Sequence, residues 1–231
     1  MPSTETSPRR EYAAATEWLA GRALDALIGA GGPALLLDTP DAPAHRALLA
    51  AAHVLGPDLL APALLAGRPP DPATTKLAAE AHQVFAAADP AAPPAAALVR
   101  AWRGWTTAGL LARAGHAGPA ELPSGPPDDP AWARWSQPMA QLSPLALPGL
   151  DSPVHLLARQ RALDLARGAT RAALRRDHRT ALRLARWLAW LGPADCPLDL
   201  PPLLSHLTLT GDGTPRSALD LALCRALGGP R

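Results

Sequence analysis

The sequence predicts an all-α fold, an irregular helical bundle or helical-hairpin array of about eight helices. Of the 231 residues 48% are hydrophobic, and with a single Phe and a single Tyr most of this apolar volume is Ala and Leu. These residues favour helix, whereas β-branched residues are few and no extended run alternates apolar with polar residues. Many of the 28 prolines also follow a residue that can cap a helix. Together these observations argue against any large sheet.

Proline that directly follows a hydrogen-bond-accepting side chain marks five predicted helix starts. The side chain accepts from the free N–H groups of the first turn, and the missing proline N–H costs nothing at the first helical position. Asp41, followed by Pro43, marks a sixth start. The five pairs are Ser7-Pro8, Asp71-Pro72, Asp129-Pro130, Ser152-Pro153 and Thr214-Pro215.

Glycines that close apolar stretches give the predicted helix ends, as at Gly56 and Gly115. Short helical turns are expected at 57–66 and 201–207, and short extended pieces at 33–39 and 206–213. The predicted helices cover residues 8–28, 42–55, 72–88, 94–114, 130–142, 153–175, 178–191 and 215–227.

A segment rich in proline and glycine, residues 115–129, is a predicted surface loop or linker. It separates an N-terminal helical part, 1–114, from a C-terminal helical part, 130–231, although one continuous domain remains open. The charge is also uneven, since residues 1–151 carry a net charge of −4 and residues 152–231 carry +6. The C-terminal part is therefore the one expected to attract acidic partners.

The most basic stretch, residues 155–191, contains nine arginines and two acids, Asp164 and Asp177. We expect a helical hairpin here with its turn at RRDHRT, because Asp177 would otherwise fall on an apolar face and is well suited to cap a second helix. A helical projection assigns an apolar arc to Leu156, Leu163, Thr170, Leu174, Ala181 and Leu188. The opposite side is assigned to Arg167, Arg171, Arg175, Arg179, Arg183 and Arg186.

This stretch, at about 158–193, resembles one tetratricopeptide-type helical hairpin. The matching features are the turn at Asp177 and His178, small and apolar residues at Ala181-Leu182 and Leu188-Ala189, and Pro193 after the second helix. Ala172 departs from the pattern, because a large aromatic residue is usual there. The resemblance implies a stacked helical hairpin that binds protein partners and that must pack against the other helices.

The six arginines admit three interpretations. They form a face that is solvated or paired within the chain, they bind an acidic protein partner, or they contact nucleic-acid phosphates. Guanidinium groups suit phosphates, but the stretch has neither lysine nor interleaved aromatic residues. Among external partners an acidic protein is the one we expect, with nucleic acid as the alternative.

Six of the seven tryptophans form W-x-x-W pairs, at 102 and 105, 132 and 135, and 187 and 190. Each pair places two indoles on one helical face. They are interpreted first as bulky filler in a core built from small residues, then as a protein contact or a small-ligand cage. The candidate aromatic contacts are Trp102, Trp105, Trp132 and Trp135.

No motif for catalysis, metal or cofactor binding was found. The seven histidines lack metal-ligand spacing, GAGG at 29–32 lacks the lysine of a phosphate-binding loop, and no nucleophile elbow occurs. Cys196 and Cys224 show neither a zinc-site nor a disulfide pattern, so reduced thiols are expected. The N-terminus resembles no signal peptide, and no membrane span is expected.

The sequence therefore predicts a cytoplasmic, non-catalytic protein of a GC-rich bacterium that serves as a protein-binding adaptor or regulatory subunit, without a cofactor. One alternative is a nucleic-acid-binding protein that uses the arginines between 167 and 186. A second is a helical enzyme or small-ligand binder with a tryptophan-lined pocket. The sequence leaves the oligomeric state open.

Overall fold

A computed structural model describes residues 7–29, 35, 37, 39–85, 91–116 and 121–229. Within these ranges every regular element is a helix and no strand is present. The all-α class is thus confirmed, with more helices than the eight predicted, because one predicted helix is divided and two predicted turns are helical.

The described α-helices, numbered in chain order, are α1 (Pro8–Ile28), α2 (His45–Leu55), α3 (Ala61–Leu65), α4 (Pro72–Val84), α5 (Pro94–Arg113), α6 (Trp132–Gln141), α7 (Pro153–Gln160), α8 (Ala162–Leu174), α9 (His178–Leu191), α10 (Leu200–Thr210) and α11 (Pro215–Gly228). Two short 3₁₀ helices lie between them, at Gly56–Leu59 and Ser143–Leu145.

Several predicted caps form the expected hydrogen bonds. Asp71 accepts from the backbone N–H of Thr74 at 2.9 Å. Asp177 accepts from that of Thr180 at 3.1 Å, which confirms the turn between α8 and α9. Thr214 likewise caps α11. The chain therefore begins these three helices where a side chain satisfies the free first-turn donors.

Other predicted starts differ in detail. Ser7 precedes α1 without a side-chain cap bond, and Ser152 Oγ instead lies 2.8 Å from Nδ1 of His155. Asp129 accepts from the N–H of Ala131, but α6 begins only at Trp132. Helix α2 begins at His45, later than predicted from Asp41.

The predicted helix 153–175 is interrupted at Arg161, which separates α7 from α8. The Arg161 guanidinium lies over the ring of Trp135, 4.2 Å from its centroid, and donates to the Asp129 carbonyl oxygen at 2.7 Å. These two contacts hold the interruption of the helix at Arg161, which the spacing of apolar residues does not predict.

The predicted extended piece at 206–213 is wrong, because α10 continues through Thr210. Two threonine hydroxyls of this helix donate to carbonyl oxygens one turn earlier, Thr208 to Leu204 and Thr210 to His206. The other candidate, residues 33–39, lies mostly outside the described residues.

Helix α9 is the central element of the C-terminal part, since it packs against α6, α8, α10 and α11. Helix α11 also packs on α1, which in turn packs on α2. The described part of segment 115–129 is held against the helices, because the Gly125 and Pro127 carbonyls accept the indole N–H groups of Trp102 and Trp135. The proposed division at this segment stays a prediction.

One stretch, His45–Leu65, is long and apolar enough to cross a membrane by length and composition, with a mean hydropathy of 1.6. It comprises α2, the 3₁₀ helix and α3, and 72% of its most apolar window is buried within the fold. Such burial is typical of a core helix in a soluble protein, so the stretch is weak evidence for a membrane span. That no segment of the chain spans a membrane stays a prediction.

Gly168 lies where α8 approaches α6 and α9 most closely. A β-carbon at this position would lie 2.8 Å from Ser136 Cβ and 2.9 Å from Leu184 Cδ1. Gly168→Ala is therefore expected to lower the free energy of unfolding by about 1–2 kcal/mol, because overpacking outweighs the gain in helix propensity. Urea denaturation would measure this change.

Gly109, inside α5, is the matched control because no heavy atom lies within 4 Å of a β-carbon built there. Gly109→Ala should raise the free energy of unfolding by about 0.5–1 kcal/mol. A rise in the free energy of unfolding for Gly168→Ala as well would contradict the close approach of α8 to α6 and α9.

Candidate interaction surface

The six arginines predicted to form one basic face are divided by the fold. Arg167, Arg171, Arg175 and Arg179 are exposed, and Arg183 is half-buried. Arg186 has no exposed surface at all. The prediction that Arg186 lies on an exposed partner-binding face is therefore wrong, and the candidate surface is limited to the exposed members of the set.

Arg186 belongs to a buried ionic cluster around Asp58. Its Nη1 donates to Oδ1 of Asp58 at 2.5 Å, and Nη2 of Arg216 donates to Oδ2 of the same carboxylate at 2.6 Å. Asp58 comes from the 3₁₀ helix after α2, whereas the two arginines come from α9 and α11. A single carboxylate thus joins three separate elements.

Electrostatics in the cluster favour the charged forms. Burial opposes the Asp58 charge, but attraction and hydrogen bonds from Arg186 and Arg216 outweigh it and lower the pKa of Asp58 to about 2. Asp220, also buried, lies 3.5 Å from Nε of Arg216 and 4.0 Å from Nε of Arg183. Burial lowers the pKa of Arg183. Both Arg183 and Arg186 therefore have carboxylate partners within the chain.

One feature of the sequence could have predicted this cluster. Asp58 is the only acid in the apolar stretch between His45 and Leu65. A lone carboxylate in a buried segment needs a cation, because an unpaired buried charge costs several kcal/mol. The cation comes from residues more than 100 positions away, since Asp58 and Arg186 are separated by 128 positions.

The exposed side of α8 combines apolar and basic side chains. Leu163 is 53% exposed and Leu174 is 81% exposed. Residues separated by four, seven or eleven positions share a helical face, so these leucines lie on the same side as Arg167. We define the α8 outer face as the exposed residues Leu163, Arg167, Thr170, Arg171, Leu174 and Arg175.

This face corrects the helical projection. Leu156, Leu163 and Leu174 were assigned to a buried apolar arc opposite the arginines, but all three are exposed. The buried side of α8 instead consists mainly of small residues, Ala166, Gly168, Ala169, Ala172 and Ala173, with Leu165 beside them. On this alanine-rich helix the small side permits the closest helix packing, and Leu163 and Leu174 remain outside.

Beside the α8 outer face lies a polar groove of about 330 Å³. Arg171 and Arg175 line it together with residues of α6 and of the start of α9, including Gln137 and Thr180. Asp177 is the single described carboxylate in its wall. Arg171 also lies over the ring of Trp132, 5.6 Å from its centroid. The groove extends the cationic part of the outer face toward α6.

The acid nearest to the outer face is already paired. Asp164 accepts from Nε of Arg161 at 3.0 Å and from Nη1 of Arg167 at 3.2 Å. Arg179 lies 3.9 Å from Glu17 of α1. Neither Arg171 nor Arg175 forms an ion pair with a carboxylate among the described residues. These two cations therefore face solvent with no described carboxylate at ion-pair distance, and Asp177 is the one described acid in the groove that they line.

The tryptophans are mainly core residues. Trp102, Trp135 and Trp187 are fully buried, and Trp190 is 8% exposed. Trp102 and Trp135 are thus inaccessible as aromatic contacts, whereas Trp105 and Trp132 remain half-buried. The buried rings donate to backbone carbonyls, as in the 2.8 Å bond from Trp187 Nε1 to Met139. The interpretation of the pairs as core filler holds for these four rings.

Two further cavities are present. One, of about 500 Å³, lies between the start of α5 and α6 and has Trp135 in its wall. The other, of about 790 Å³, lies between the end of α9, α10 and α11 and is lined by Cys196 and Cys224. Burial raises the pKa of both thiols, that of Cys224 to about 12. Both sulfurs are therefore protonated at neutral pH and are poor nucleophiles.

Comparison with protein-family models, with curated proteins and with solved structures finds no significant match. The function must therefore be argued from the α8 outer face and the pockets themselves.

Proposed function

We propose that this protein is a non-catalytic helical adaptor or regulatory protein that binds an acidic partner protein through the α8 outer face. The observation that carries the proposal is the combination of Leu163 and Leu174, 53% and 81% exposed, with two exposed arginines on α8 and a third, Arg175, directly after its last residue. The face is about 16 Å long, which corresponds to three turns of a bound helix.

The apolar residues favour a protein partner over nucleic acid. When a partner covers exposed apolar side chains, binding gains about 25 cal/mol of free energy for each Å² of apolar surface removed from water. Phosphate contacts need cations but gain little from leucines. An amphipathic helix with leucines on one side and carboxylates beside them would match both parts of the α8 outer face.

The positive charge of the α8 outer face favours a negatively charged partner. Arg171 and Arg175 have no described carboxylate within ion-pair distance, and Arg167 shares Asp164 with Arg161. An acidic segment would supply the missing counter-charges and would be attracted over a distance of about 10 Å at moderate salt.

The proposal places the protein in the cytoplasm of a bacterium with a GC-rich genome. Its support is the arginine-rich, lysine-poor composition and two cysteines that are both free thiols. Thiols persist in a reducing compartment.

The experiment measures binding of a labelled acidic peptide, a synthetic amphipathic helix of leucine and glutamate, by fluorescence anisotropy. Arg171→Glu combined with Arg175→Glu is expected to weaken binding at least about tenfold, because two attractive charge pairs become repulsive. Leu163→Ala combined with Leu174→Ala should weaken it by a similar factor.

Matched controls are available elsewhere on the surface. Arg9 and Arg10 are exposed on α1, and Leu209 is 86% exposed on α10. Charge reversal at Arg9 and Arg10, or Leu209→Ala, should leave the affinity unchanged. Equal losses in the control and test variants would contradict the proposal. Tight duplex DNA binding that needs the arginines but not the leucines would favour the nucleic-acid alternative.

A further inference from the structure

A fourth pocket lies in the N-terminal part, between α2, α4 and α5. Its volume is about 230 Å³, enough for a small polar molecule. The end of α2, the middle of α4 and the middle of α5 form its walls. It shares no lining residue with the α8 outer face, so it can be considered independently of the proposed function.

Four basic side chains line this pocket: His53, His82, Arg100 and Arg103. No described carboxylate lines it, and none lies within ion-pair distance of these four groups. The nearby acid, Asp58, is already bonded to Arg186 and Arg216. We define these four residues as the basic pocket cluster.

Contacts with the surrounding helices hold three of the four groups. His53 stacks on Phe85 with ring centroids 4.7 Å apart. Arg103 donates through Nη2 to the Val54 carbonyl oxygen near the end of α2. His82 lies against α5, since a β-carbon at Gly104 would be in ordinary van der Waals contact with its Cε1 atom, at 3.8 Å. The fourth member lines the pocket from an exposed position on α5.

Burial disfavours the charged forms of both imidazoles, and neighbouring basic groups add to this at His53. Burial together with the charges of Arg103, His82 and Arg100 lowers the pKa of His53. Burial lowers the pKa of His82. An anion in the pocket would reverse the repulsive contribution and draw protons onto the imidazoles.

Other charged groups on the same helices face different partners. His45 of α2 and Glu80 of α4 pair with each other at 2.8 Å, outside the lining of this pocket. Lys76 of α4 and Arg46 of α2 are exposed and are also not part of the lining. Burial lowers the pKa of Arg103 to about 10, although Asp58 and Asp220 of the buried ionic cluster behind it oppose this lowering. The four members of the basic pocket cluster are therefore the charged groups that line the pocket itself.

We propose that the basic pocket cluster is a binding site for a small molecule that carries a compact dianion, of the phosphate or sulfate class. Arginine offers forked donors to such oxygens, and a histidine adds a charge-assisted donor when protonated. The half-enclosed position between three helices suits an anionic group better than a long chain or a polymer.

The probe is inorganic sulfate, whose charge does not change between pH 6 and pH 8, titrated by calorimetry at constant ionic strength. Saturable binding is expected, about tenfold tighter at pH 6 than at pH 8, because at least one imidazole takes up a proton when the anion binds. An NMR titration of the ring protons should give higher pKa values for His53 and His82 with sulfate present than without it.

His82→Gln combined with Arg100→Gln is the test variant, since Arg100 is exposed and His82 half-buried. This variant should bind sulfate at least about tenfold more weakly at pH 6, and its affinity should lose most of its pH dependence. Arg46→Gln combined with His206→Gln removes the same groups from exposed positions outside the pocket and should change nothing. If the double test variant does not fold, Arg100→Gln alone decides the matter.

Three results would overturn the proposal. One is the absence of saturable binding below about 10 mM sulfate. Another is an equal loss of affinity in the test and control variants, which would mean an adventitious ion only. The third is binding that is equally strong at both pH values with unmoved resonances of both rings.

Discussion

Asp58→Ala is expected to lower the free energy of unfolding by about 3–5 kcal/mol, the largest effect of any charged residue in the described fold. The side chain is fully buried and accepts from both Arg186 and Arg216. Its removal leaves two guanidinium groups buried close to each other without their shared carboxylate. Urea denaturation at pH 7, followed by circular dichroism, would measure the loss.

The pH dependence supplies a second measurement on the same variant. Because the pKa of Asp58 is lowered from 3.8 to about 2 in the fold, its charge stabilises the folded state above its unfolded pKa. This contribution is lost as the pH falls from about 4 to about 2. The difference in stability between the wild type and Asp58→Ala should therefore shrink over that interval.

Two controls separate the cluster from a general effect of charge. Asp128 has a 75% exposed side chain and lies 3.4 Å from Arg161, so Asp128→Ala should change the stability by less than about 1 kcal/mol. Arg186→Met should cost less than Asp58→Ala, because Arg216 still pairs with Asp58. A loss below 1 kcal/mol for Asp58→Ala would show that the carboxylate is not shared as described.

Trp187→Ala is expected to lower the free energy of unfolding by about 3–5 kcal/mol. Trp187 is fully buried on α9 and donates to the Met139 carbonyl oxygen at 2.8 Å. Its ring meets His155 and Trp190 edge-on, with centroids 5.4 Å and 5.7 Å away. Truncation would open a cavity and remove one of the two donors to the Met139 carbonyl oxygen, which also accepts from the N–H of Leu142 at 3.2 Å. Chemical denaturation would report the change.

Trp132 offers the matched control for Trp187. It is half-buried at the start of α6, where the Arg171 guanidinium lies over its ring. Trp132→Ala should cost no more than about 1 kcal/mol, since most of the loss is a surface cation–π contact. Equal losses for the two variants would contradict a core placement of Trp187.

Local signals in the sequence were sufficient for much of the helix plan. The predicted span of α1 is that of the structure, and Asp177 ends the hairpin turn by capping α9. Such features depend on proline geometry and on hydrogen bonds to side chains within a few residues. The same rules missed the break at Arg161, which depends on contacts with Trp135 and Asp129 from another part of the chain.

The candidate surface was predicted less well, for a reason of packing. The projection treated leucine as the core residue of α8, but Gly168 and its alanine neighbours form the buried side. When both sides of a helix are moderately apolar, the neighbouring helices decide which side is buried. Arg186 was misplaced because its charge is compensated by Asp58, a partner that no local pattern identifies.

The shared carboxylate also constrains the order in which the molecule can be assembled during synthesis. Asp58 is translated long before Arg186, and Arg216 follows 158 positions after Asp58. Until both arginines have left the ribosome, the 3₁₀ helix after α2 carries an unpaired carboxylate that would be costly to bury in an apolar interior. Nascent chains of this protein should therefore reach their final packing only after α11 emerges.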